Sequence, residues 1–127
     1  MNAATIPARQ LALLLADSAA GRAADTAATG LLIRHGYFLH QPGFRRIITA
    51  GSSFYSGQPV AVIRWRAAIW ALEHDLLPCT PSQAAVLQVA ASLADEAVPV
   101  HLRTVLGGLD SRAIALITTA ITAANGS

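Results

Sequence analysis

The run Thr80-Pro81-Ser82-Gln83 constrains this chain more than any other stretch of it. Thr80 supplies a hydroxyl for an N-cap, Pro81 a preset φ at the first helical position, and Gln83 a side chain that can bond back to the cap. The helix that starts here carries Val86, Leu87, Ala90 and Leu93 on its apolar side and should end near Asp95. That side must be covered by other elements, and most of the remaining sequence reads as further helices.

Thr5 can cap a first helix over about 6–18, with Ile6 and Pro7 in its opening turn. A second helix over 22–35 stops at Gly36, so the two form a helical pair. Trp65, Ile69, Leu72 and Leu76 follow helical spacing and define one buried stripe before Pro78. A short helix over about 100–106 follows Pro99 and is closed by Gly107 and Gly108. Asp110 caps the last helix, along which Ile114, Ile117 and Ile121 recur before Asn125 and Gly126.

The middle of the chain differs. Phe44 to Ala50 and Pro59 to Ile63 are rich in β-branched residues around a Gly- and Ser-containing connection, which reads as a hairpin. The connection, Gly51 to Gln58, exceeds a tight two-residue turn, so a mobile tip is expected. The fold class is therefore mainly α, with five to six short helices and one central β-hairpin. A single domain over 1–127 comprises a helical pair at about 6–35, a hairpin at about 44–63 and a helical part at about 65–124.

Apolar residues make up 54% of the 127 and charged residues 13%, a balance that favours folding over disorder. Much of the apolar share is alanine, so helices form readily but their core is thin, and self-association is one way to complete it. No apolar run reaches the ~18–20 residues that span a bilayer, since Leu11 to Ala16 is closed by Asp17. With no signal-peptide pattern and Cys79 as the lone cysteine, the expected setting is cytoplasmic, without membrane or disulfide.

From Trp65 onward the chain resembles a group of small uncharacterised actinobacterial proteins. The residues that carry the resemblance are Trp65 with Ala71-Leu72, Leu77-Pro78-Cys79, Val86-Leu87, Ala90 to Ala94, Pro99-Val100, Leu102-Arg103 and Gly108-Leu109-Asp110. Gly43-Phe44-Arg45-Arg46 matches more loosely. Thr80 and Gln83 stand where Ser and Glu are usual, with the same capping chemistry. The resemblance implies a shared fold and brings no activity.

Charge is divided along the chain. Residues 26–72 hold five Arg (Arg34, Arg45, Arg46, Arg64, Arg66) and no acid, whereas 73–127 hold two Arg and five acids. If Arg45-Arg46 lie on one strand and Arg64 and Arg66 follow its partner, all four gather at one end of the ribbon. That surface could meet nucleic-acid phosphates, with the loop acting as a wing. Pairing with the acidic last third, within one chain or across a homodimer, explains the same residues with fewer assumptions.

Catalysis and metal binding find little support. Glu73, His74 and Asp75 are helix neighbours that point in different directions, and His74 with Cys79, or His35 with His40, fits no compact ligand spacing. Cys79 could be a reactive thiolate ahead of a helix, but a small buried apolar residue is the commoner meaning. No cofactor fingerprint is present. The sequence thus favours a non-enzymatic interaction or regulatory protein that acts through a protein partner or a second copy. The alternative is a nucleic-acid-binding regulator using the Arg-rich hairpin. Size and apolar content also permit a phage- or plasmid-encoded inhibitor of a host complex.

Overall fold

In the computed structural model, residues 2–126 are described. They form seven α-helices and one two-stranded antiparallel hairpin, a mainly α fold. The helices are α1 (Ala8–Ala19), α2 (Ala23–His35), α3 (Pro42–Arg45), α4 (Trp65–Glu73), α5 (Pro81–Ala94), α6 (Leu102–Gly108) and α7 (Ser111–Ala124). The strands β1 (Ile48–Ser52) and β2 (Pro59–Ile63) separate α3 from α4.

Helix α2 is the hub, packing against α1, α5 and α7. Its Ala27 and Ala28 are buried, as are Ala85, Ala90 and Ala91 of α5 and Ala113 and Ala120 of α7. Side chains this small let helix backbones approach closely, so the contact is broad although few large groups fill it. The larger filling comes from Leu31, Leu32, Phe38, Phe44 and Leu87, all within one hydrophobic cluster. Phe38 and Phe44 meet with ring centroids 5.3 Å apart, and each buried Phe contributes about 1.5–3 kcal/mol.

The capping box of α5 forms as its sequence requires: Gln83 N–H donates to Thr80 Oγ1 at 3.2 Å and Thr80 N–H to Gln83 Oε1 at 2.8 Å. Asp110 caps α7, accepting from Ala113 N–H at 2.8 Å. Gly36 ends α2 at φ +85°, a left-handed value that glycine adopts without steric penalty.

Three boundaries differ from expectation. Helix α1 begins at Ala8, because Pro7 keeps Ile6 in extended backbone; Thr5 instead belongs to a 3-10 turn, Ala3–Thr5, capped by Asn2. Helix α4 stops at Glu73: Asp75 takes φ +56°, and the N–H groups of Asp75 and Leu76 turn back to the carbonyls of Leu72 and Ala71. This termination swings Leu76 outward and lets Leu77 take the buried place, so the stripe expected through Leu76 ends early. Gly107 and Gly108 complete α6 rather than close it. Gly108 lies so near α5 that a Cβ there would sit 3.3 Å from the Pro81 carbonyl oxygen.

The hairpin is shorter at its base than the sequence suggests. Pro42 at the first position of α3 nucleates a helical turn that holds Phe44 in the core, and extended backbone begins only at Ile48. Ile48 pairs with Ile63 and Ala50 with Ala61 on the inner face, while Thr49 and Val62 face outward. The sheet rests on α1, where Ser18 Oγ accepts from Ala61 N–H at 3.1 Å.

Candidate interaction surfaces

The structure disperses the five arginines that the charge pattern singles out. Arg45 is not on a strand. It ends α3, and its Nε and one terminal nitrogen are buried without a hydrogen-bond partner among the described residues. Arg66 sits in the first turn of α4, its guanidinium bonded to both Asp95 carboxylate oxygens at 2.7 and 3.3 Å. That contact, with help from the Ala97 N–H, holds the Asp95 carboxyl below its ordinary range. Arg34 lies on α2, and its guanidinium folds back over Gly30.

Arg46 is also off the strand, in the turn between α3 and β1, and Arg64 follows β2 directly, so these two flank the base of the ribbon. Register carries β1 and β2 one step past the Ile48–Ile63 pair to Ile47 and Arg64, and Arg64 Nε donates to Ile47 O at 3.1 Å. These two cations lie at the base of the hairpin, whereas its loop carries no charge between Ser52 and Gln58. Five-residue strands set base and tip roughly 15 Å apart, so positive charge and loop do not share a surface.

The tip carries its own backbone hydrogen bonds. Ser53 N–H donates to Gln58 O at 2.7 Å, and Gly57 N–H to Ser53 O at 2.9 Å with Gly57 at φ +71°. Four residues, Phe54 to Gly57, make the turn, because β1 extends through Gly51 and Ser52 into the expected connection. Phe54 and Tyr55 project from it, 95% and 96% exposed, with their rings edge-on at 5.5 Å.

A second apolar surface lies among α5, α6 and α7. Leu102 and Leu106 on α6 are 62% and 58% exposed, and Ile114 and Ile121 on α7 also reach solvent. With Leu93 and Val105 they line a groove of 230 Å³ that contains no charged side chain. Of the three isoleucines that recur along α7, only Ile117 is buried. Helix α7 packs chiefly on α2 and also on α5, and its Ile114 and Ile121 remain open to solvent.

The remaining candidates are structural in their contacts. His74 Nδ1 bonds Trp70 O at 2.7 Å while its ring stacks on Trp70 at 4.1 Å. Burial raises the Cys79 thiol above its usual pKa, which opposes thiolate reactivity. Tyr37 and Gln41 both donate to the Pro78 carbonyl, anchoring the link between α4 and α5. Among the described residues no three His, Cys, Asp or Glu side chains gather as a metal-ligand set, and no helix is long and apolar enough to cross a membrane.

No family model, curated protein or solved structure matches this chain. Its function must be argued from these surfaces alone. The groove and the aromatic tip were both missed by sequence reasoning. The signal for the groove was the spacing of Leu102 with Leu106 beside that of Ile114 with Ile121, two apolar helix faces where one partner helix could cover only part of each. The signal for the tip was Phe54-Tyr55 inside a turn of small polar residues.

Proposed function

We propose that this chain is a non-enzymatic interaction protein that self-associates through the groove of α5, α6 and α7. One observation carries the reading: four large aliphatic side chains, Leu102, Leu106, Ile114 and Ile121, stand exposed around an uncharged apolar depression. Contiguous apolar surface of this kind is costly in water, and contact with another protein removes it. The many alanines at the helix contacts leave few large side chains per helix in the core, which adds to the need for outside burial.

Sedimentation velocity of the wild type beside Leu102→Asp tests this. Position 102 opens α6, where an acid suits the helix terminus, so the variant should keep its helix content by circular dichroism. The expected result is a concentration-dependent dimer that Leu102→Asp weakens about tenfold or more. A wild type that stays monomeric, or a variant that associates equally well, overturns the reading.

The alternative, a nucleic-acid-binding regulator using the hairpin, has less behind it. It draws on Arg46 and Arg64 at the ribbon base, since Arg66 is committed to Asp95 and the Arg45 head is largely withdrawn from the surface.

A further inference from the structure

The hairpin has one covered edge and one open edge. Ser53 N–H donates to Gln58 O inside the ribbon, whereas Ala61 N–H leaves it and donates to Ser18 Oγ on α1. Backbone groups alternate in direction along an antiparallel ladder, and the register sets Ala50 opposite Ala61. Thr49, Gly51 and Ser53 therefore bond toward β2, while Ile48, Ala50 and Ser52 turn their N–H and C=O groups away from it. None of these outward groups has a hydrogen-bond partner among the described residues.

Sheet edges are normally blunted by proline, charge, a bulge or a covering element. The outer edge of β2 is blunted twice, by Pro59, which has no N–H to offer, and by Ser18 of α1, which takes the Ala61 N–H. The strand β1, Ile-Thr-Ala-Gly-Ser, has no charge, no proline and an unbroken register, and it packs chiefly on β2 and the Ala3–Thr5 turn. We infer that the β1 edge pairs antiparallel with the β1 edge of a second copy, about a two-fold axis at Ala50. The inference goes beyond the groove, whose lining includes no hairpin residue; the edge joins groove-paired copies into larger assemblies at higher concentration.

The register about Ala50 satisfies the whole edge. Ala50 faces Ala50 of the second copy, and Ile48 faces Ser52 on either side, each pair exchanging two hydrogen bonds. Even-numbered residues meet even-numbered ones, so the inner face continues across the join. On the outer face Thr49 stands opposite Gly51, where a Cβ would meet nothing within 4 Å and the threonine methyl has room.

Two observations favour a second copy over a foreign strand. An uncharged strand meets its own image without repulsion. Arg46 and Phe54 also lie equally far from Ala50 in opposite directions along the chain, so the two-fold axis carries the exposed Phe54 of one copy to the level of Arg46 of the other. Arg46 is exposed and has no ion pair among the described residues, and a guanidinium over an aromatic ring is attracted to it. Strands of five residues make a contact smaller than the ~1,200 Å² of a stable interface, so the pairing is weak and depends on concentration.

The experiment isolates the edge by working in full-length Leu102→Asp, where the groove contact is weakened. In sedimentation velocity this protein should still associate at high concentration. Ser52→Pro removes an N–H that the hairpin itself does not use, so it should lower that association about tenfold while circular dichroism stays unchanged. Arg46→Gln should lower it about fivefold. Register is tested separately, without relying on proline: Ala50→Cys with Cys79→Ser should oxidise to a disulfide-linked dimer, since facing Cα atoms in such a pair lie ~5.5 Å apart, and Phe54→Cys with Cys79→Ser should not. Leu102→Asp that is monomeric at every concentration, association that Ser52→Pro leaves unchanged, or Ala50→Cys that stays unlinked overturns the edge pairing and leaves the groove reading standing. A wild type whose association responds to Ser52→Pro and not to Leu102→Asp supports the edge and overturns the groove.

Discussion

Arg66 and Asp95 form a two-pronged contact, Nε to Oδ2 at 2.7 Å, that joins the positive middle of the chain to its acidic last third within one molecule. The Arg66 side chain is 72% exposed, so solvent screens the pair and its main effect is to offset the charge of a cation that stays at the surface. Of the five arginines in the basic segment, it is the one bound to a carboxylate of its own chain among the described residues.

This bears directly on nucleic-acid binding. With Arg46 and Arg64 left at the ribbon base and an uncharged tip, generic duplex DNA should bind negligibly at ~50 mM salt in a fluorescence anisotropy titration. Binding whose logarithmic affinity falls with logarithmic salt concentration at a slope of about −2 or steeper, and which Arg46→Gln/Arg64→Gln abolishes, would restore the alternative reading.

Asp75 offers a test of the backbone. It holds φ +56° at the end of α4, where a side chain costs about 1–2 kcal/mol relative to glycine. Glycine gains part of that back but has more freedom to lose on folding. Asp75→Gly should therefore raise urea-unfolding stability by about 0.5–1 kcal/mol. A lower midpoint would mean that the Asp75 side chain supports the fold through a contact of its own.

His35 should make stability depend on mild acid. Burial first, and then the Arg112 guanidinium, lower its pKa below the ordinary 6.5, with Asp110 opposing them. Its Nδ1 is buried without a hydrogen-bond partner among the described residues. The unfolded chain thus takes up a proton at higher pH than the folded one does. The stability this provides is complete above pH 6.5 and declines as pH falls from there to the lowered folded value. Urea midpoints of the wild type should fall across that window, and those of His35→Gln should fall less. Parallel curves would show that His35 does not control the slope. At lower pH, below 3.8, the depressed carboxyls of Asp95 and Asp110 add a second loss.

Much of the helical framework was legible because it is written in local chemistry. The cap at Thr80, the cap at Asp110 and the stop at Gly36 each act within about one helical turn, so neighbouring residues suffice to specify them. The apolar and β-branched runs similarly announced that a hairpin ends at Ile63 before helix α4.

What the sequence by itself determined, then, is where most helices start and stop and that a ribbon interrupts them. Tertiary structure decided which apolar faces are covered and which charges are spent. Leu76 and Leu77 exchanged places because a left-handed residue rotated the chain; Ile121 stayed exposed because α7 packs chiefly on α2 and buries Ala113, Ile117 and Ala120 instead. Arg45 left the ribbon when Phe44 was drawn into the core beside Phe38. Spacing along a helix says which side chains share a face, but the partner that covers that face is set by contacts between residues far apart in the chain.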